Sequence, residues 1–152
     1  TPIKSSAASD VYKRQIQKMR YKDKLEFEID VEPSILNIPL IKLVLQPIIE
    51  NAIYHGLKYK ESKGLLQVKG FMKDGNAVLQ VIDNGVGMDE ETLSHIYDKH
   101  KVNYHSNGVG VYNVQKRLKL YYGENYGITY ESEKGVGTTA TITIPGIQEE
   151  SI

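Results

Sequence analysis

Asn51, Asp83 and a set of paired glycines are the residues of this chain whose types and spacing could do chemistry. Asn51 stands beside Glu50 and near His55 in the run 43–57, LVLQPIIENAIYHGL. Leu45, Ile48, Ile49, Ala52 and Ile53 recur there at intervals of three and four, which predicts a buried helix. Asn51 and His55 are four residues apart, so they share one face of it. An amide, a carboxylate and an imidazole on an apolar helix need a reason. A satisfied buried network is one; an ion and a phosphate chain lying along that face is the other.

Asp83-Asn84-Gly85-Val86-Gly87-Met88 follows directly on a strand-like run, 77–82. An ionised carboxylate only accepts hydrogen bonds, so Asp83 suits an exocyclic amine such as adenine N6. Glycines beside it let backbone come close to a flat ring. The same string is also a common surface turn. Gly108-Val109-Gly110 comes just before a helical pattern. A glycine turn feeding a helix N-terminus offers free N–H groups to an anion. It lacks the third glycine of a dinucleotide fingerprint and the lysine of a P-loop. Gly135-Val136-Gly137-Thr138 repeats the device before the last strand, where the Thr138 hydroxyl could donate to a phosphate or to the Asp83 region.

Residues 25–30 (LEFEID) alternate as a half-exposed strand does. Residues 11–21 read as a short basic helix. Pro33 and Pro39 bracket a turn, and Pro39 is placed to open the long helix. Gly56 ends that helix region. Strands are expected over 65–72 and 77–82, joined by a hairpin at Asp74-Gly75-Asn76. Residues 89–97 read as a short helix with acidic residues in its first turn, and 98–107 (DKHKVNYHSN) as a polar loop long enough to be a lid. Val111, Val114 and Leu118 share a face of a helix over 111–122. Strands are expected over 127–132 and 138–144, with a tight turn at Gly135-Val136-Gly137. The mixture predicts an α/β fold: a two-layer sandwich of a mixed sheet with helices on one face.

With 152 residues the chain is expected to form one domain. Nineteen basic and nineteen acidic side chains cancel, which argues against nucleic-acid binding. The absence of cysteine excludes thiolate metal sites and disulfides. No apolar run approaches the ~18 residues of a membrane span.

Taken together and in order, Asn51 on a helix, DNGVGM, GVGV before a helix and GVGT before a strand resemble the ATP-binding superfamily of gyrase, heat-shock chaperone, histidine kinase and MutL proteins. The resemblance runs from Gln15 to Pro145 and implies a Bergerat-type fold. QPIIENAIYHGL, RLKLYYGENYGITYESEKGVGTTATITIP and IQKMRYKDKLEFEID are similar to the LytS/YesM-like group of sensor histidine kinases, and so to their catalytic domain. A domain over 15–147 follows, with a non-native or disordered leader over 1–14 and a tail over 148–152.

The resemblance implies roles. Asn51 would ligate Mg²⁺ on the phosphates of ATP, Asp83 would accept the adenine amine, and Gly85 and Gly87 would pack near the base. Gly108 and Gly110 would hinge the lid and bring backbone to the phosphates, and Thr138 would support the base pocket. His55 is a candidate phosphate contact. Pro47 stands where the ATP-hydrolysing relatives carry a general-base Glu, so little hydrolysis is expected; Glu50, beside Asn51, could orient a water or hold the Mg²⁺ shell. The implied activity is transfer of the γ-phosphate to a histidine on a separate dimerisation and phosphoacceptor domain, and onward to a response regulator. The implied location is the cytoplasmic side of a bacterial integral membrane protein. A degenerate interaction module that has lost nucleotide, an anti-sigma-type serine kinase and a gyrase-type ATPase are the competing readings.

Overall fold

The computed structural model describes residues 2–3, 25–41, 44–57, 63–96 and 108–147, and only the backbone of Tyr54, His55, Gly108 and Val109. The basic helix expected over 11–21 and the lid expected over 98–107 lie outside the described residues.

Five strands form one sheet in the order β1-β2-β3-β5-β4. They are β1 (Leu25–Val31), β2 (Gly64–Lys73), β3 (Asn76–Asp83), β4 (Gly127–Glu133) and β5 (Gly137–Pro145). β1 runs parallel to β2, and the other neighbours are antiparallel. A parallel pair cannot be joined by a tight hairpin. The connection from Val31 to Gly64 accordingly carries a 3-10 turn, Pro33–Ile35, and the helix α1, Leu45–Asn51, which continues as a π-helical segment, Ala52–Leu57. β2 and β3 are joined at Asp74 and Gly75, whose φ of 53° and 80° are the two positive values a type I′ turn needs.

The period-2 pattern puts Leu66, Val68, Leu79, Val81, Ala140, Ile142 and Ile144 on one face. Ile48, Ile49 and Ile53 of the α1 stretch and Val111, Val114 and Leu118 of α3 (Gly108–Tyr122) are buried in the same core. Each fully buried side chain of this size contributes roughly 1.5–3 kcal/mol. The other face presents Gln67, Lys69, Gln80, Thr141 and Thr143 and carries no helix among the described residues. The two-layer α/β sandwich is therefore as expected.

The structure departs from the sequence reading at several element ends. The long helix begins at Leu45, not near Pro39, which forms an isolated bridge with Pro2. Pro47 occupies its first turn, where a missing N–H costs no helical bond. α2, Glu90–Ser94, is shorter than the 89–97 expected. Asp89 caps it by accepting from the Thr92 N–H at 2.8 Å, and that bond holds the Asp89 carboxyl below its ordinary range. α3 begins at Gly108 rather than at Val111, so the glycine pair forms its first turn. Within the stretch read as a leader, Ile3 is fully buried in the core and its N–H donates to the Ile38 carbonyl at 3.0 Å.

Candidate functional site

Asp83 ends β3 and is the one buried charged residue among those described, at 5% exposure. An isolated buried carboxylate is costly unless hydrogen-bonded. The Gly85 N–H meets that need, donating to Asp83 Oδ1 at 2.9 Å. Asn84 latches the strand end from both sides. Its N–H donates to the Leu65 carbonyl at 3.2 Å, and its Oδ1 accepts from the Leu65 N–H at 2.7 Å.

The glycines around Asp83 are matters of space. A Cβ on Gly85 would strike the Gly56 carbonyl, and one on Gly137 would strike the Asp83 carbonyl. Gly87 has φ 68° and a Cβ there would strike the Glu133 carbonyl. The segment after β3 is thus seated between the last helical turn of the α1 stretch and the β4–β5 turn. Backbone bonds fix it there: Val86 N–H to the Gly56 carbonyl at 3.0 Å, and Gly135 N–H to the Val86 carbonyl at 2.7 Å.

Thr138 is the register partner of both Asp83 on β3 and Ser132 on β4. Its Oγ1 lies 2.7 Å from Ser132 Oγ. Ser132 also accepts from the Met88 N–H at 2.8 Å and donates to the Gly137 carbonyl at 3.0 Å. A groove of about 470 Å³ at this end of the sheet is lined by Gln67, Ile82 and Thr139 of the helix-free face together with Asp83, Asn84 and Thr138.

Asn51 closes the α-helical part of the α1 stretch, half-buried, five residues before Gly56. Glu50, next to it, is engaged along its own helix: Gln46 Nε2 donates to Glu50 Oε1 at 3.0 Å. At the other end of α1, Pro47 Cβ lies 3.4 Å from where a Cβ of Gly110 would stand. One helical stretch therefore touches Asp83 and Gly85 through Gly56, and the first turn of α3 through Pro47. His55 lies within the π-helical segment, a form that recurs at functional sites. Gly108 opens α3, whose first-turn N–H groups lack helical partners and can face an anion.

The structure thus brings Asp83, Gly85, Gly87 and Thr138 together at one rim of the sheet, and Pro47 and Gly110 together where α1 meets α3, with Asn51 four residues beyond Pro47 on α1. Residues 37–148 match the family described as histidine kinase-, DNA gyrase B-, and HSP90-like ATPase. The chain belongs to this family.

As a member of this ATPase family the chain is an ATP-binding domain. It is 32% identical over 130 residues to sensor histidine kinase YesM of Bacillus subtilis, covering 86% of this chain and 21% of that protein. It is 34% identical over 113 residues to sensor protein LytS of Oceanobacillus iheyensis, covering 73% of this chain and 19% of that one. The chain spans about a fifth of the length of these curated relatives. Among solved structures, the catalytic domain of histidine kinase ThkA superposes with a TM-score of 0.72 at 14% identity, covering 96% of this chain and 97% of that one. Mycobacterial sensor histidine kinase MprB gives 0.62 at 22% identity, covering 90% and 93%. These two show the shared fold of the ATPase-family domain.

Two residues of the site carry no signal in the sequence. Gly56 reads as a helix stop, yet it packs against Asp83 and Gly85. Ser132 reads as one polar position of an alternating strand, yet its hydroxyl ties β4, β5 and the Met88 backbone together.

Proposed function

We propose that the chain is the catalytic domain of a two-component sensor histidine kinase. It holds Mg·ATP and presents the γ-phosphate to a histidine on a separate dimerisation and phosphoacceptor domain, from which the phosphate passes to a response regulator. The observation that carries this reading is the Asp83 carboxylate, buried at the strand end and aligned by the Gly85 N–H. An acceptor held in one orientation between glycines suits the amine of adenine.

The remaining residues take roles along one line. Asp83 binds the adenine amine, with Thr138 and Ser132 bracing the strand ends beside it. Gly85 and Gly87 let the backbone after Asp83 lie close to the base. The first turn of α3, with Gly108 and Gly110, offers N–H groups to the phosphates, and His55 is the further candidate for a phosphate contact. Asn51 supplies a neutral oxygen to the cation. A single protein oxygen fits Mg²⁺, which keeps waters and substrate phosphates as its other ligands. When bound, Mg²⁺ neutralises charge on the phosphates.

Transfer from such a site is mostly positioning, because the imidazole nitrogen of the acceptor is already a nucleophile. Pro47, packed against Gly110, leaves no general base where a hydrolase needs one. Glu50 orients solvent or the outer shell of the ion. The domain lies on the cytoplasmic side of a membrane-anchored parent; no helix among the described residues is long and apolar enough to cross a membrane.

The test is a titration with a fluorescent ATP analogue, with and without Mg²⁺, in parallel with Asp83→Asn. Saturable binding displaced by ATP and ADP is expected. Losing one hydrogen bond to a charged acceptor should weaken the variant by about 10-fold or more. A folded wild-type protein that binds no adenine nucleotide overturns the proposal.

A further inference from the structure

We infer that Gly56 is a positioning residue for Asp83, and through it sets the preference for adenine over guanine. The inference rests on the nucleotide reading of the site and goes one residue beyond the motifs that suggested it. Gly56 is the fifth residue of the six-residue π-helical segment and is buried. A Cβ built on it would stand 2.6 Å from Asp83 Oδ1, 2.9 Å from Cγ and 3.2 Å from Oδ2. The helix backbone itself is therefore one wall of the carboxylate's seat. The Gly85 N–H, at 2.9 Å from Oδ1, is a second restraint on the same oxygen.

The three glycines of this seat are not equivalent. A side chain at Gly85 or Gly137 would meet backbone, which cannot yield without moving a strand or a helix. A methyl at Gly56 would meet the end of a side chain, and the strain would be taken up by the carboxylate. Asp83 Oδ1 would have to retreat by about 0.8 Å to reach ordinary contact at 3.4 Å. That exceeds the roughly 0.5 Å within which a working constellation must be held.

Adenine offers an amine donor where guanine offers a carbonyl acceptor. An aligned carboxylate attracts the first and repels the second. A displaced carboxylate weakens the attraction and relaxes the repulsion together, so the ratio of the two affinities falls. A purely structural glycine would change stability and leave that ratio alone.

The experiment uses the whole chain with fluorescent ATP and GTP analogues, comparing wild type, Gly56→Ala, Asp83→Asn and the double variant, each checked for cooperative thermal unfolding. Gly56→Ala is expected to unfold cooperatively, to bind the ATP analogue about 10-fold or more weakly, and to narrow the ATP-to-GTP ratio by several-fold. In the double variant, Gly56→Ala should add no loss beyond that of Asp83→Asn, as expected of two residues acting as one unit. A wild-type ratio in Gly56→Ala, additive losses in the double variant, or a Gly56→Ala protein that does not fold each overturns the inference. An Asp83→Asn protein that binds like wild type overturns the nucleotide reading itself, and so separates the two failures.

Discussion

Asp83 and Thr138 are the last register pair of the β3–β5 ladder, and Thr138 pairs in turn with Ser132. With Leu66 on β2, they form one row across four strands. The row ends on a hydroxyl with all its capacity used. Ser132 donates its single proton to the Gly137 carbonyl and accepts from the Met88 N–H, so the Thr138 hydroxyl donates to Ser132. Ser132→Ala should therefore destabilise the domain by about 1–2 kcal/mol, by orphaning the Met88 N–H and freeing Thr138. A drop of roughly 3–6 °C in the thermal midpoint is expected. An unchanged midpoint would show that the hub contributes nothing.

Gly85→Ala should do more damage. Its methyl would face the carbonyl of Gly56, and neither backbone can give way. Overpacking of this kind should cost about 3 kcal/mol or more. Gly75→Ala is the control, since a Cβ there meets nothing within 4 Å and only its φ of 80° is unfavourable. That strain should cost about 1–2 kcal/mol. Chemical denaturation of both variants decides the matter: equal losses would mean the packing at Gly85 is not tight.

Asn51→Ala tests the ion. If its amide oxygen is the protein's ligand to Mg²⁺, the variant should lose most of the Mg²⁺-dependent gain in nucleotide affinity while keeping the Mg²⁺-free affinity. Titrations at several Mg²⁺ concentrations read this directly. An unaltered Mg²⁺ response removes Asn51 from the shell.

Tyr122 sets a pH prediction. Its hydroxyl accepts from the Ile41 N–H at 3.2 Å and donates to the Pro39 carbonyl at 3.4 Å, joining the end of α3 to the lead-in of α1. Burial raises its pKa above the ordinary value of 10.0. A group with a raised folded pKa stabilises the fold below the unfolded pKa and loses that contribution as pH rises through the folded one. Wild type should therefore lose stability more steeply than Tyr122→Phe above about pH 10. Below that range Tyr122→Phe should be less stable by about 1 kcal/mol. Parallel stability curves would contradict the first expectation, and coincident curves would contradict both.

Local signals were legible in the sequence because local geometry demands particular residues. Asp74-Gly75 announces its turn, since both positions need positive φ. The alternation TTATITI announces β5, and the spacing of Val111, Val114 and Leu118 announces α3. Asp83 and Thr138 could be nominated because their motifs flank strand ends. Non-local facts were not legible. Nothing in LEFEID says that its neighbour is β2 or that the pair is parallel. The change from α to π after Asn51 has no compositional mark, and Ile3 looks like any apolar residue in a polar stretch until it is seen filling the core. Gly56 reads as a stop signal because its effect depends on Asp83, twenty-seven residues away.

The parallel pairing of β1 and β2 has a bearing on time. Those two strands can meet only after the intervening chain, with the whole Asn51–Gly56 stretch inside it, has looped back on itself. Closing such a loop costs entropy before any contact rewards it, so pairings of this kind form slowly. The hairpin of β2 and β3 sets Asp83 on local contacts, and Gly56 meets it when the helical stretch before β2 folds back over that hairpin. A ligand that touches both binds the folded chain and not the open one, and so holds the fold together by mass action.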